Sequence, residues 1–133
     1  DINISFEEAN RILGQEMAEK VKELSLRIYK KAGSLAEKKG IIIADTKFEF
    51  GTYNNELILI DEILTPDSSR FWSARDYQVG KGQDSFDKQI VRDYLLTLNW
   101  NQQPPGPELP EDIIEKAGAR YKEILGILTT PSP

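Results

Sequence analysis

The chain has 133 residues, of which 39% are hydrophobic and 9% aromatic, enough to bury one core of ordinary size. Twenty-two acidic residues against seventeen basic ones leave a formal charge of −5, which argues against a nucleic acid as partner. No apolar run approaches the roughly 20 residues that span a bilayer, and the polar start Asp1-Ile2-Asn3 is unlike a secretion signal, so a soluble, cytoplasmic protein with no membrane partner is expected.

Ser5 followed by Glu8 has the form of a capping box, in which each side chain accepts a backbone N–H left unpaired at a helix start. A helix should begin there. From about Gln15 to Lys39 the residues Met17, Val21, Leu24, Ile28 and Leu35 recur at steps of three, four or their sum, which predicts a long amphipathic helix with these side chains facing inward. Gly40 stands where a left-handed residue would close that helix, and Lys38-Lys39 suits the negative end of its dipole. Two β-rich runs, Ile41 through Phe50 and Leu57 through Leu64, flank the turn-like Gly51-Thr52-Tyr53-Asn54-Asn55 and predict a hairpin. A lone two-stranded hairpin is marginal in water, so this one should belong to a larger antiparallel sheet whose other strands lie in a missing N-terminal portion.

Thr65 to Ser69 is loop chemistry, and the polar stretch from Ser73 to Asp84 extends an irregular region long enough to be functional, anchored by Phe71-Trp72. Asp84 or Ser85 is expected to cap a helix carrying Phe86, Ile90, Tyr94, Leu95 and Leu98 on one face. Pro104-Pro105-Gly106-Pro107 breaks the chain, and Pro110 lies near the start of a last helix with Ile113, Ile114, Ala117, Tyr121 and Leu125 facing inward, followed by a frayed tail from Thr129 to Pro133. The fold class is therefore α+β, a β-hairpin contributing to a larger antiparallel sheet packed against several helices.

With neither His nor Cys, these residues supply no Ser-His pair, no cysteine nucleophile and no zinc site of the usual ligands. Carboxylates that hold Mg²⁺ or move protons, and Lys or Arg that hold phosphates and carboxylates, remain available. On a strand Asp45, Lys47 and Glu49 share one face and Ala44, Phe48 and Phe50 the other, a pattern that a solvated sheet face produces equally well. Asp61 and Glu62 interrupt the apolar second run, and one of them should point to the charged face; two acids from neighbouring strands suit Mg²⁺, while an ion pair with Lys47 is the plainer alternative. Arg70, held by the aromatic pair after it, can grip a phosphate or carboxylate, and Lys88 and Arg92, one helical turn apart, can offer two positive charges to an anionic substrate or merely to solvent.

The segments Gly40-Ile-Ile-Ile-Ala-Asp45-Thr-Lys47-Phe-Glu49-Phe-Gly51 and Leu59-Ile-Asp61-Glu62-Ile-Leu-Thr-Pro66-Asp67-Ser-Ser-Arg70-Phe-Trp72 resemble the two signature segments of the phosphoribosylaminoimidazole-succinocarboxamide synthase (SAICAR synthetase) family, in the family's order and separation. Gln83 to Gln89 with Arg92-Asp93 resembles the branch that carries a longer insert before its penultimate helix. The resemblance implies that residues 1–133 are the C-terminal substrate- and metal-binding part of a two-part enzyme, inactive without the N-terminal nucleotide-binding part. It implies an ATP-dependent ligase of purine biosynthesis that joins L-aspartate to 5-amino-1-(5-phosphoribosyl)imidazole-4-carboxylate (CAIR), with Mg²⁺ as cofactor; a homo-oligomer is a further partner to be considered, on which the resemblance is silent.

Carried over position by position, the resemblance gives Glu49 and Asp61 the magnesium and nucleotide site, and Asp45, Lys47 and Arg70 the surroundings of the imidazole ribotide. Lys47, Glu49 and Asp61 are then the catalytic set; Lys88 and Arg92 are candidates for the aspartate carboxylates on their charge and location alone, not on the resemblance. Glu49 and Asp61 must face the same side, so a bulge-free hairpin turning on Asn54-Asn55 would contradict the assignment. Two other classes stay open: a glycoside hydrolase using Asp45 and Glu49 as a carboxylate pair, and a non-catalytic interaction module presenting its helices.

Overall fold

The computed structural model describes residues 2–86 and 88–130. Extended Ser5 accepts the Glu8 N–H at 3.1 Å and starts helix α1, Phe6–Leu13. Only this half of the expected box serves as a cap, because the Glu8 carboxylate pairs with Arg11 one turn on. Gly14, at φ +80°, turns the chain into helix α2, Gln15–Glu37. Gly40 closes it at φ +73°, donating to the Glu37 carbonyl at 2.9 Å, as the sequence suggests. The inward stripe of α2 runs through Ala18 and Ala36, with Tyr29 and Ala32 against the core. Leu35, expected inward, is 57% exposed. The strand that follows approaches along the small side chains of Ala32 and Ala36, where backbones can come close, which leaves Leu35 on the flank.

The run from Ile41 to Phe50 is two strands rather than one. Strand β1, Ile41–Thr46, pairs antiparallel with β4, Ser69–Ser73, from Ile41 opposite Ser73 to Thr46 opposite Ser69, with an irregularity between Ile43 and Asp45. Strand β2, Glu49–Tyr53, pairs with β3, Glu56–Ile60, in a separate two-stranded sheet. The hairpin is present, but it begins at Glu49 and turns tightly on Asn54 and Asn55, both in the left-handed region at φ +50° and +62°. β4 lies inside the region read as irregular, and Phe71 is its fully buried position. A five-residue strand with polar ends carries too little alternation to be recognised locally.

The core gathers Ala36, Ile41, Ile43, Phe71, Phe86 and Ile124. Tyr29 donates to the Ile43 carbonyl at 2.6 Å and ties α2 to β1. Phe86 is buried but precedes its helix: its N–H and the Ser85 hydroxyl both donate to the Phe71 carbonyl, at 3.0 and 3.3 Å. Ser85 is therefore committed to the sheet, and α3 runs only over Gln89–Thr97, neither Asp84 nor Ser85 capping it and Leu98 already extended. The last helix, α4, Glu111–Thr129, follows Pro110 as expected and includes Thr129, where a frayed tail was expected to begin; residues 131–133 of that tail lie outside the described residues. It faces inward along Ile113, Ala117, Arg120, Ile124 and Ile127, whereas Ile114 and Leu125 are largely exposed and Tyr121 is marginal. Arg120 joins this stripe because its guanidinium lies over the Phe86 ring, 5.5 Å from the centroid. No helix among the described residues is long and apolar enough to cross a membrane.

Phe71→Ala empties the centre of this core and is expected to cost about 3–5 kcal/mol, whereas Leu35→Ala is expected to stay within about 0.5 kcal/mol of wild type. Urea unfolding of the two variants checks the inward and flanking assignments together.

Candidate functional site

The β1–β4 register places Asp45 directly opposite Arg70. Arg70 grips the carboxylate with two donors, Nε to Oδ1 at 2.8 Å and Nη2 to Oδ2. These bonds hold the Asp45 carboxyl below its ordinary pKa against the opposing effect of burial, with the charges of Arg70 and, further off, Arg92 adding to the shift. Beyond Thr46 the chain leaves the strand, and the Lys47 N–H donates to the Ser68 carbonyl at 3.1 Å. Asp45, Lys47 and Glu49 thus do not share one strand face. Asp45 is matched to Arg70 and Glu49 to Lys47, each acid on a different strand and facing its own cation.

Lys47 Nζ lies 2.7 Å from Glu49 Oε1. This bond, the charge of Glu49 and then that of Asp61 raise the Lys47 pKa above its ordinary value. Asp61 reaches this group by an unexpected route. The hairpin is the bulge-free two-residue type, with Glu49 opposite Ile60, so strict alternation would send residue 61 to the far face. Asp61, however, follows the last residue of β3 and adopts φ +62°, which breaks the alternation. Glu49 and Asp61 consequently line the same depression, of about 270 Å³, together with Lys47, Glu62, Asp67 and Lys88.

A second depression of about 410 Å³ adjoins the first, sharing Lys47, Asp67, Ser68 and Lys88, and adds Asp45, Thr46, Ser69, Arg70 and Arg92. All seven residues singled out from the sequence line one or the other. Asp67 was not singled out, yet it stands on the partition and pairs with Lys88 at 2.9 Å. The hydrogen bond from Lys88, then that with Glu62, then the Lys88 charge lower its pKa, with Arg92 contributing from further away. Its position between Pro66 and two serines reads as turn chemistry, which hid it. Thr46, Ser68 and Ser69 were missed for a similar reason, since hydroxyls on a strand end and a loop carry no periodic signal.

Five carboxylates and four cations surround the joined depressions, one more negative charge than positive. Among the described residues no group of three or more carboxylates converges closely enough to hold a metal by itself. The pair Glu49 and Asp61 nevertheless fits Mg²⁺, which takes one or two protein carboxylates and completes its shell with water and phosphate oxygens.

The fold is α+β, and its two joined depressions are lined by matched carboxylates and cations. The SAICAR synthetase family model matches residues 1–107, and the chain belongs to that family. The phosphoribosylaminoimidazole-succinocarboxamide synthase of Thermodesulfovibrio yellowstonii is 70% identical over 98% of this chain and 44% of its own length. The SAICAR synthase of Saccharomyces cerevisiae, solved complexed with SAICAR, superposes with a TM-score of 0.86 at 46% identity, over 100% of this chain and 45% of that one. A SAICAR synthetase solved in complex with ADP gives a TM-score of 0.68 at 28% identity, covering 98% of this chain and 46% of that one. The chain thus spans less than half the length of these relatives.

Two outcomes test the site's construction. Asn tolerates the left-handed region and a β-branched residue does not, so Asp61→Asn is expected to unfold in urea as wild type does, whereas Asp61→Val loses about 1–2 kcal/mol. The Asp45 pKa is lowered by folding, so the Asp45–Arg70 pair stabilises above the unfolded-state value near ~4 and its contribution disappears as pH falls through the folded-state value. The pair is half exposed, and its contribution is on the order of 0.5 kcal/mol. The difference in unfolding midpoint between wild type and Asp45→Asn should be measurable at pH 7 and close at acid pH.

Proposed function

We propose that residues 1–133 are the C-terminal, substrate- and metal-binding portion of an ATP-dependent ligase that joins L-aspartate to CAIR, giving SAICAR, ADP and phosphate in purine biosynthesis. The observation that carries this reading is family membership combined with the meeting of Asp45, Lys47, Glu49, Asp61, Arg70, Lys88 and Arg92 around two joined depressions. In this reading an N-terminal portion of the same enzyme supplies the nucleotide pocket, the cytoplasm is the place of action, and self-association is possible.

A carboxylate acylates an amine only after one of its oxygens becomes part of a good leaving group. In the proposed reaction the ribotide carboxylate takes the γ-phosphoryl group of ATP, and the amino group of aspartate then displaces phosphate from the acyl carbon. The protein's share is positioning and charge neutralisation. Lys47 and Arg70 would meet the ribotide and its phosphate, and Lys88 and Arg92 the carboxylates of aspartate. Each of Lys47, Arg70 and Lys88 is held by an acid of the site, so the cations are oriented before an anion arrives, which lowers the ordering cost of binding. Glu49 and Asp61 would hold Mg²⁺, which when bound would offset the charge of the phosphate oxygens.

The test uses the complete protein in an assay requiring ATP, CAIR and aspartate. Glu49→Gln and Asp61→Asn are each expected to lower turnover by on the order of 10² while leaving the unfolding midpoint in place. Near-normal turnover of both variants at limiting Mg²⁺ would refute the metal assignment, and a wild-type protein that forms no aspartate adduct would refute the ligase.

A further inference from the structure

Lys88 lines both depressions, and its placement there is not a property of its own helix. It is the residue from which α3 starts, one turn before Arg92, whose N–H donates to the Lys88 carbonyl at 3.0 Å. Among the described residues the first turn of α3 holds no acid, and no side chain caps it. The unpaired N–H groups at a helix start carry partial positive charge, so a lysine there is repelled by its own helix. Left to itself, an ammonium on a four-carbon stem would turn away into solvent.

Asp67 opposes that repulsion from across the partition. Its Oδ1 accepts from Lys88 Nζ at 2.9 Å, and it is the one acid within ion-pair distance of Lys88 among the described residues. The chain on both sides of Asp67 is fastened. Pro66 precedes it with a locked φ. The Thr65 N–H donates to the Ser68 hydroxyl at 3.1 Å, and the Ser68 N–H to the Thr65 hydroxyl at 3.2 Å. The Ser68 carbonyl in turn receives the Lys47 N–H at 3.1 Å, which ties the loop to the end of β1. Glu62, which also meets Asp67, is bonded to the Thr65 hydroxyl at 2.6 Å. Asp67 is thus a carboxylate on a fastened wall, facing a long-stemmed cation at a helix start that disfavours it.

We infer that Asp67 is a positioning residue: it holds the Lys88 ammonium on the wall common to the two depressions, beside Arg92, so that a carboxylate of aspartate meets a cation already in place. The identity of that carboxylate rests on the ligase reading; the pairing of Asp67 with Lys88 does not. Plain electrostatics gives Asp67 the opposite effect, since an acid beside a site for a dianion repels it and its removal should tighten binding. Acting through Lys88, Asp67 instead weakens binding when it is removed, because the freed ammonium must be ordered anew each time aspartate arrives. The pair is about half exposed and adds little to folding stability, so its effect belongs to binding.

The experiment measures kcat, the KM for each reactant and the urea midpoint in the complete wild-type protein, Asp67→Asn, Lys88→Met and the double variant carrying both. Asp67→Asn is expected to raise the KM for aspartate about three- to tenfold, with kcat and the KM values for ATP and CAIR within about twofold and the midpoint unchanged. Lys88→Met is expected to raise the same KM further, and the double variant to match Lys88→Met alone, since Asp67 then has nothing to position. Should Asp67→Asn not fold, Asp67→Ser takes its place in the same comparison. A KM for aspartate that falls or rises less than about threefold in Asp67→Asn, a rise confined to ATP or CAIR, a double variant in which the two effects multiply, or a rise accompanied by a lowered midpoint overturns the proposal. A wild-type protein that forms no aspartate adduct defeats the ligase reading, a result distinct from an active wild type with indifferent variants.

Discussion

The antiparallel pairing of β1 with β4 is the constraint on which the rest of the molecule depends. Ile41, Ile43 and Phe71 are buried on that ladder, and α2, α4 and the segment before α3 pack onto it through Ala36, Ile124 and Phe86. The register that buries these residues also sets Asp45 opposite Arg70 and Thr46 opposite Ser69 at the ladder's other end. Core and site are consequences of the same alignment: a slip of one residue would turn Phe71 outward and separate the acid from its guanidinium.

Pairing alone does not assemble the site. The hairpin of β2 and β3 brings Glu49 to it, while regular strand geometry would have taken Asp61 to the other face. One residue at φ +62° changes that outcome, and Leu64 at φ +54° turns the chain back towards β4. Asp is among the few residues that tolerate the left-handed region, so a carboxylate of the candidate site and a backbone reversal coincide at one position. The loop between is fastened by its own side chains, Thr65 and Ser68 exchanging amide and hydroxyl bonds, and this gives the partition a defined shape.

Charge matching gives the site a second property. Lys47, Arg70 and Lys88 each face a carboxylate within the two depressions, so the groups suited to an incoming anion are already oriented. Exposed pairs of this kind contribute little stability. Their value lies in placement, since an ammonium on a four-carbon stem is otherwise free to wander.

By itself the sequence determined the residue types, the helices and the family. The Ser5 cap, the three-four spacing through α2, Gly40 and Pro110 are local signals, and local signals survive outside the folded context. The two charged segments were legible as a resemblance, and every residue taken from them lies at the joined depressions. The tertiary structure alone decided that Ile41 to Phe50 divides between two sheets, that Ser69 to Ser73 is a strand, that Phe86 belongs to the core rather than to α3, and which faces of α2 and α4 turn inward. These outcomes depend on which distant segment buries which side chain, and no window along the chain contains that competition. The side on which Asp61 emerges was hidden for a related reason: a single backbone dihedral, held by the loop around it, overrides the alternation from which a sequence is read.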